Sequence, residues 1–130
     1  MSDSNRWVKL ALEDEKMAEL AYGEKLYNQV CFHCQQGAEK FLKALLVEKE
    51  GRFPKVHSLL ELLGLASHLD NSLIALKNDC LYLDQFYVPT RYPDAPLGNL
   101  AQGAPDQADA KKAVDSFKQI KATISQKLPL

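Results

Sequence analysis

Several things are scarce or missing in this chain, and each narrows what it can be. No window approaches the roughly 18 continuous apolar residues of a membrane span. Lys and Arg number 16 against 17 Asp and Glu, a formal net charge of -1. That balance argues against wide, non-specific coating of nucleic acid but leaves room for a local basic pocket. Only 3 cysteines occur among 130 residues. A small odd number, with no basic-then-apolar leader at the N-terminus, fits free thiols in a reducing, cytoplasmic setting. No stretch alternates apolar and polar residues with β-branched enrichment, so no sheet is expected. No Gly-rich phosphate loop is present.

What is there is helical periodicity. The length suits one domain, and the composition, 46% hydrophobic and 25% charged, is that of a soluble globular protein. A first helix is expected over residues 4–25, capped by Ser4 or Asn5. Its stripe is Trp7, Leu10, Ala11, Met17, Ala18 and Ala21, interrupted by Asp14. A second runs from an Asn28 cap to Glu50, stopped by Gly51, with Cys31, Cys34 or Gln35, Ala38, Leu42, Leu45 and Leu46 inward. Glu39 and Lys43 read as a surface i, i+4 pair. Ser58-Leu-Leu-Glu61 is a capping box opening a leucine-rich, heavily buried third helix. A fourth helix is expected over residues 72–86, with Leu73, Leu76, Cys80, Leu83 and Tyr87 as its stripe. A fifth, capped by Asp106, carries Ala110, Ala113, Phe117, Ile120 and Ile124 inward. The fold class is all-α, an up-and-down antiparallel bundle of about five helices in a single domain over residues 1–130.

Between the last two helices, residues 88–105 hold four of the 6 prolines and two of the 6 glycines. A loop that long inside a compact domain is usually functional or disordered. Its start, Tyr87-Val-Pro-Thr90-Arg91-Tyr92-Pro-Asp94, sets a guanidinium, two aromatics and an acid on a stretch that proline keeps out of helix. The guanidinium suits phosphate or carboxylate, and Tyr87 and Tyr92 suit stacking on a base. The structural alternative is an Arg91–Asp94 pair that staples the loop to the bundle.

Other candidates weigh less. Cys31-Phe-His-Cys34 has no second ligand pair for zinc, and buried small hydrophobes account better for these cysteines. Gln35, Gln36, Glu39 and Lys40 read as a solvated face, unless one of them faces a groove beside residues 87–94. His57, just before the Ser58 cap, is either a general base or a residue ordering the loop. No metal or cofactor is expected.

Three fragments in order resemble the HEPN family (higher eukaryotes and prokaryotes nucleotide-binding). Phe32-His-Cys-Gln35-Gln36-Gly-Ala-Glu39-Lys40-Phe-Leu-Lys43 is similar to its second-helix signature. His57-Ser-Leu matches the histidine before its third helix. Thr90-Arg91-Tyr92-Pro93-Asp94 matches its late motif. The resemblance implies a helical bundle, commonly a homodimer, and a link to nucleotides or RNA. It also implies a separately encoded minimal nucleotidyltransferase as partner in a toxin–antitoxin-like system. Ribonuclease members carry an Arg-x4–6-His motif in a site built from both subunits. Here the positions due to hold that histidine are Pro96, Leu97 and Gly98, and no histidine follows Arg91. The expectation is therefore a binding module rather than an enzyme. Its ligand set is Arg91, Tyr92, Asp94, Tyr87, Thr90, His57, Gln36 and Lys40. An alternative is a ribonuclease with an atypical base such as His57, or a dimeric scaffold.

Overall fold

The computed structural model describes residues 2–87 and 103–129. Five α-helices and one 3-10 helix follow in order: α1 (Asp3–Gly23), α2 (Tyr27–Glu50), α3 (Leu59–Leu69), the 3-10 helix (Asn71–Leu76), α4 (Lys77–Asp84) and α5 (Gln107–Ser125). No strand occurs among the described residues, as the missing alternation predicts. None of these helices is long and apolar enough to cross a membrane.

The bundle is organised around α2, which packs on α1, α3, α4 and α5. From Phe41 to Leu46 six successive residues are buried, so this stretch is enclosed on every side. The contact with α1 is made close by small residues, Ala11, Ala18 and Ala21, all buried. Leu10 and Met17, expected inward, are instead 44% and 49% exposed, because the alanine line faces α2 and they lie off it. Gly37 does the same for α5. A Cβ there would stand 2.6 Å from Cε1 of the buried Phe117. The inner face of α5 is the one expected: Ala110, Ala113, Phe117, Ile120 and Ile124 are all buried.

The helix ends show where local sequence decides and where it does not. Gly51 closes α2 in the left-handed conformation, φ 75°, and Asp106 caps α5. Asp109 answers Asp106 to complete a reciprocal capping box. At α1 the cap is Ser2, not Ser4 or Asn5. Ser4 is buried and donates to Glu48 at 2.7 Å, tying the start of α1 to the end of α2. Asn28 is not a cap either. It lies in the first turn of α2, whose preceding residue, Leu26, makes no side-chain cap. Ser58 caps α3 by accepting from the Glu61 amide, but the box is completed across the fold. The Asp84 carboxylate accepts from the Leu59 amide (2.7 Å), the Leu60 amide (3.1 Å) and the Ser58 hydroxyl (3.2 Å).

Two other expectations change. The third helix buries Leu59, Leu62, Leu63 and Ala66 but leaves Leu65 and Leu69 exposed, so it covers the core with one face only. The fourth helix begins as 3-10, which stacks Leu73 directly over Leu76 on the core side. Asp70 caps that turn through Ser72 and pairs with Lys127 beyond α5 at 2.7 Å.

Two glycines give opposite predictions. Gly37→Ala gains helix propensity but drives a methyl into Phe117, so a net loss of about 1 kcal/mol is expected, more for Gly37→Val. Gly64, in α3 with open space around it, gains about 0.5 kcal/mol as Ala. Urea unfolding of the two variants checks the pair of signs. Asp70 supplies a pH signature. Bonding to Lys127 and then Ser72 lowers its pKa from 3.8 to about 2. Its contribution is therefore full above the unfolded carboxylate's range and disappears as pH falls from about 3.8 through about 2. Melts of Asp70→Asn followed by circular dichroism should show a shallower acid limb in that window.

Candidate functional site

The site grows from a polar stripe on the most enclosed helix. Residues 35, 39 and 43 are spaced i, i+4, i+8, which sets Gln35, Glu39 and Lys43 in one line along α2. The solvated-face reading of this run is overturned. Gln35 is fully buried, Glu39 and Lys43 are each 5% exposed, and Gln36 and Lys40 are half-buried. The 51–58 connection closes over the stripe and takes its water away. Glu39 and Lys43 are thus an internal pair, Nζ to Oε2 2.8 Å, rather than a surface one. The Lys43 ammonium also lies over the rings of Phe53 (5.2 Å) and Trp7 (5.5 Å), which meet edge to face.

The other side of Glu39 holds His57. Its Nδ1 is 3.2 Å from Oε2 and 3.3 Å from Oε1 of the carboxylate. The His57 backbone carbonyl accepts from Gln35 Nε2 at 3.3 Å, and Gln36 Nε2 donates to Gln35 Oε1 at 2.7 Å. The His57 side chain is 53% exposed, and its ring stacks on Tyr87, centroids 4.8 Å apart and 14° from parallel. Backbone, ring nitrogen and ring face are therefore each held by a different partner. With Nδ1 facing a carboxylate, Nε2 is the nitrogen left to hydrogen-bond or exchange a proton with a ligand.

Of the predicted ligand set, His57 and Tyr87 meet face to face, with Gln36 one hydrogen bond away from Gln35, which holds the His57 backbone. Lys40 does not join them. It pairs with Asp14 at 2.6 Å, and His33 Nδ1 lies 2.8 Å from the other Asp14 oxygen. The acid that breaks the α1 stripe thus anchors α1 to α2 through a lysine and a histidine of that helix. Thr90, Arg91, Tyr92 and Asp94 lie outside the described residues, as does most of the 88–105 loop. Gln35 and the internal Glu39–Lys43 pair support His57 from positions that the predicted ligand set leaves out. Their signal was available: a helix ringed by Phe41, Leu42, Leu45 and Leu46 has little room for a solvated face.

The thiols of the Cys31-Phe-His-Cys34 motif are buried in the core, as is Cys80. Burial pushes the Cys34 and Cys80 thiols up to about 12, Glu15 and Asp14 adding to it for the first and Asp84 and Asp79 for the second. Burial likewise raises Cys31, with Cys34 next, against any stabilisation from the helix start. Among the described residues no three His, Cys, Asp or Glu side chains are grouped to hold an ion.

A five-helix bundle with a histidine held at the head of its third helix by an internal carboxylate is the setting in which the comparisons with known proteins fall. The chain belongs to the HEPN domain family, whose profile matches residues 4–127. It is similar to the protein TT1696 from Thermus thermophilus, with a TM-score of 0.82 and 32% identity, covering 98% of this chain and 100% of that one. It is also similar to ST0689, an archaeal HEPN homologue, with a TM-score of 0.75 and 28% identity over 98% of both chains. No curated protein matches the chain.

The internal pair should behave as a unit. Glu39→Leu or Lys43→Met alone strands a buried charge and is expected to cost about 3 kcal/mol. The double change Glu39→Leu with Lys43→Met should recover most of that loss. A double-mutant cycle by chemical denaturation reads the coupling.

Proposed function

We propose that this chain is a HEPN-type binding module for a nucleotide or RNA, acting as a single helical domain in the cytoplasm. The Arg91-Tyr92-Pro93-Asp94 segment is its main contact. One observation carries the reading: the His57 ring, seated on Glu39, stacks on Tyr87, the last described residue before the segment that contains Arg91. An imidazole and a phenol side by side offer a base both stacking surface and hydrogen bonds. In this reading Arg91 takes the phosphate, Tyr92 or Tyr87 stacks, Thr90 adds a hydroxyl, and Asp94 orients Arg91 or contacts ribose. Family membership supports a homodimer and a separately encoded minimal nucleotidyltransferase as partner. The toxin–antitoxin role belongs to the same proposal.

Calorimetry with a nucleotide panel tests the core of it. At least one nucleotide should bind, and Arg91→Ala should weaken it by about tenfold or more. If no nucleotide binds more tightly than about 1 mM, or if the variant binds equally well, the reading is wrong. A lower melting temperature in Arg91→Ala with no ligand effect would instead mark the loop as a brace.

A second reading has its own support. The Glu39 carboxylate at His57 Nδ1 is the arrangement that orients a histidine for proton transfer. A ribonuclease using Arg91 and His57 would cleave RNA and lose cleavage in both Arg91→Ala and His57→Ala. Cleavage that survives both changes excludes it.

A further inference from the structure

The first helix lies at the edge of the bundle. Among the described helices α1 packs closely on α2 alone, through the line of Ala11, Ala18 and Ala21. Its far side is left bare, with Leu10, Met17 and Leu20 standing 44%, 49% and 55% exposed. These are not scattered apolar residues of the ordinary kind. Arg6, Leu10, Glu13, Met17, Leu20 and Glu24 follow one another at alternating steps of four and three, the spacing of a helix–helix seam, and all are exposed. The charges at the two ends are available. Arg6 is held loosely, 3.8 Å from an exposed Asp3, and Glu24 forms no ion pair among the described residues.

The seam is matched to itself. When two copies of α1 cross antiparallel, level with Glu15, Leu10 of one copy meets Leu20 of the other, and the contact recurs by symmetry. Glu13 meets Met17 of the other copy, one residue from that copy's Lys16. At each end Arg6 meets Glu24. A parallel pair would instead set Arg6 against Arg6, Glu13 against Glu13 and Glu24 against Glu24. An antiparallel slip of one heptad sets Glu13 against Glu24 in one direction and Glu13 against Leu10 in the other. Charge complementarity thus selects a second copy, in one orientation and one register. A net charge of -1 leaves little general repulsion between copies.

We infer that the Arg6–Glu24 stripe of α1 is the face through which two copies of this chain pair antiparallel. The inference rests on the homodimer included in the proposed function and assigns its interface. One helix pair about 27 Å long buries less than a standard interface, so this dimer dissociates in the micromolar range.

The test is light scattering and sedimentation of the whole chain and its variants. A dimer is expected at about 200 µM protein and a monomer below about 1 µM. Met17→Lys should weaken pairing about tenfold or more. Arg6→Glu and Glu24→Arg should each weaken it about fivefold, and the two together in one chain should restore it. All three positions are exposed, so the monomer keeps its fold. Leu10→Cys combined with Leu20→Cys should link two copies under mild oxidation, since the native cysteines are buried. A monomer at about 200 µM overturns the inference and the homodimer together. A dimer indifferent to Met17→Lys, a charge swap without rescue, or a cysteine pair that stays unlinked overturns this pairing and leaves the homodimer standing. Nucleotide binding is read separately and stands or falls by its own titration.

Discussion

Everything near the candidate site depends on one internal ion pair. Glu39 and Lys43 lie on the helix most deeply enclosed by the bundle, where each charge alone would be costly. The surroundings answer each in kind. Lys43 has the carboxylate on one side and two aromatic faces on the other, and Glu39 has the ammonium and an imidazole. These partners come from two places: Trp7 from α1, Phe53 and His57 from the connection after α2. The pair therefore does more than sit in the core. It draws the 51–58 connection over α2 and fixes where His57 emerges.

The remaining packing keeps that arrangement tight. Alanines on α1 and Gly37 on α2 bring helix backbones close, so neighbouring side chains have little slack. The Asp14 cluster locks α1 to α2 a little further along with Lys40 and His33. Polar residues on α2 are thus used twice over, once to set the histidine and once to register α1. Neither group is solvent decoration.

How much of this could be read beforehand differs by level. Helix number, the inner face of α5, and the ends at Gly51 and Asp106 follow from local chemistry, and local chemistry was enough. The starts of α1 and α2 did not follow, because Ser4 is taken by Glu48 and the chain enters α2 through Leu26 without a capping side chain. The α3 cap was half legible: Ser58 is local, but Asp84 arrives from another helix. The site shows the same division. His57 and Tyr87 stand out as residues, yet their stacking, and the enclosure of Gln35, Glu39 and Lys43, depend on which face the 51–58 connection covers. Periodicity ranks faces by apolarity and cannot tell that a polar stripe will be roofed by a loop.

Asp84 has a further consequence. It is the last residue of α4, a short step before Tyr87, and it grips the first amides of α3, immediately after His57. One carboxylate therefore clasps both walls of the candidate site and closes the chain between positions 26 residues apart. Without it the first two amide donors of α3 would have no other acceptor in the helix, so the end of α4, three residues before Tyr87, is held against the start of α3. The His57–Tyr87 stack thus sits across a chain closure that a single carboxylate helps to hold.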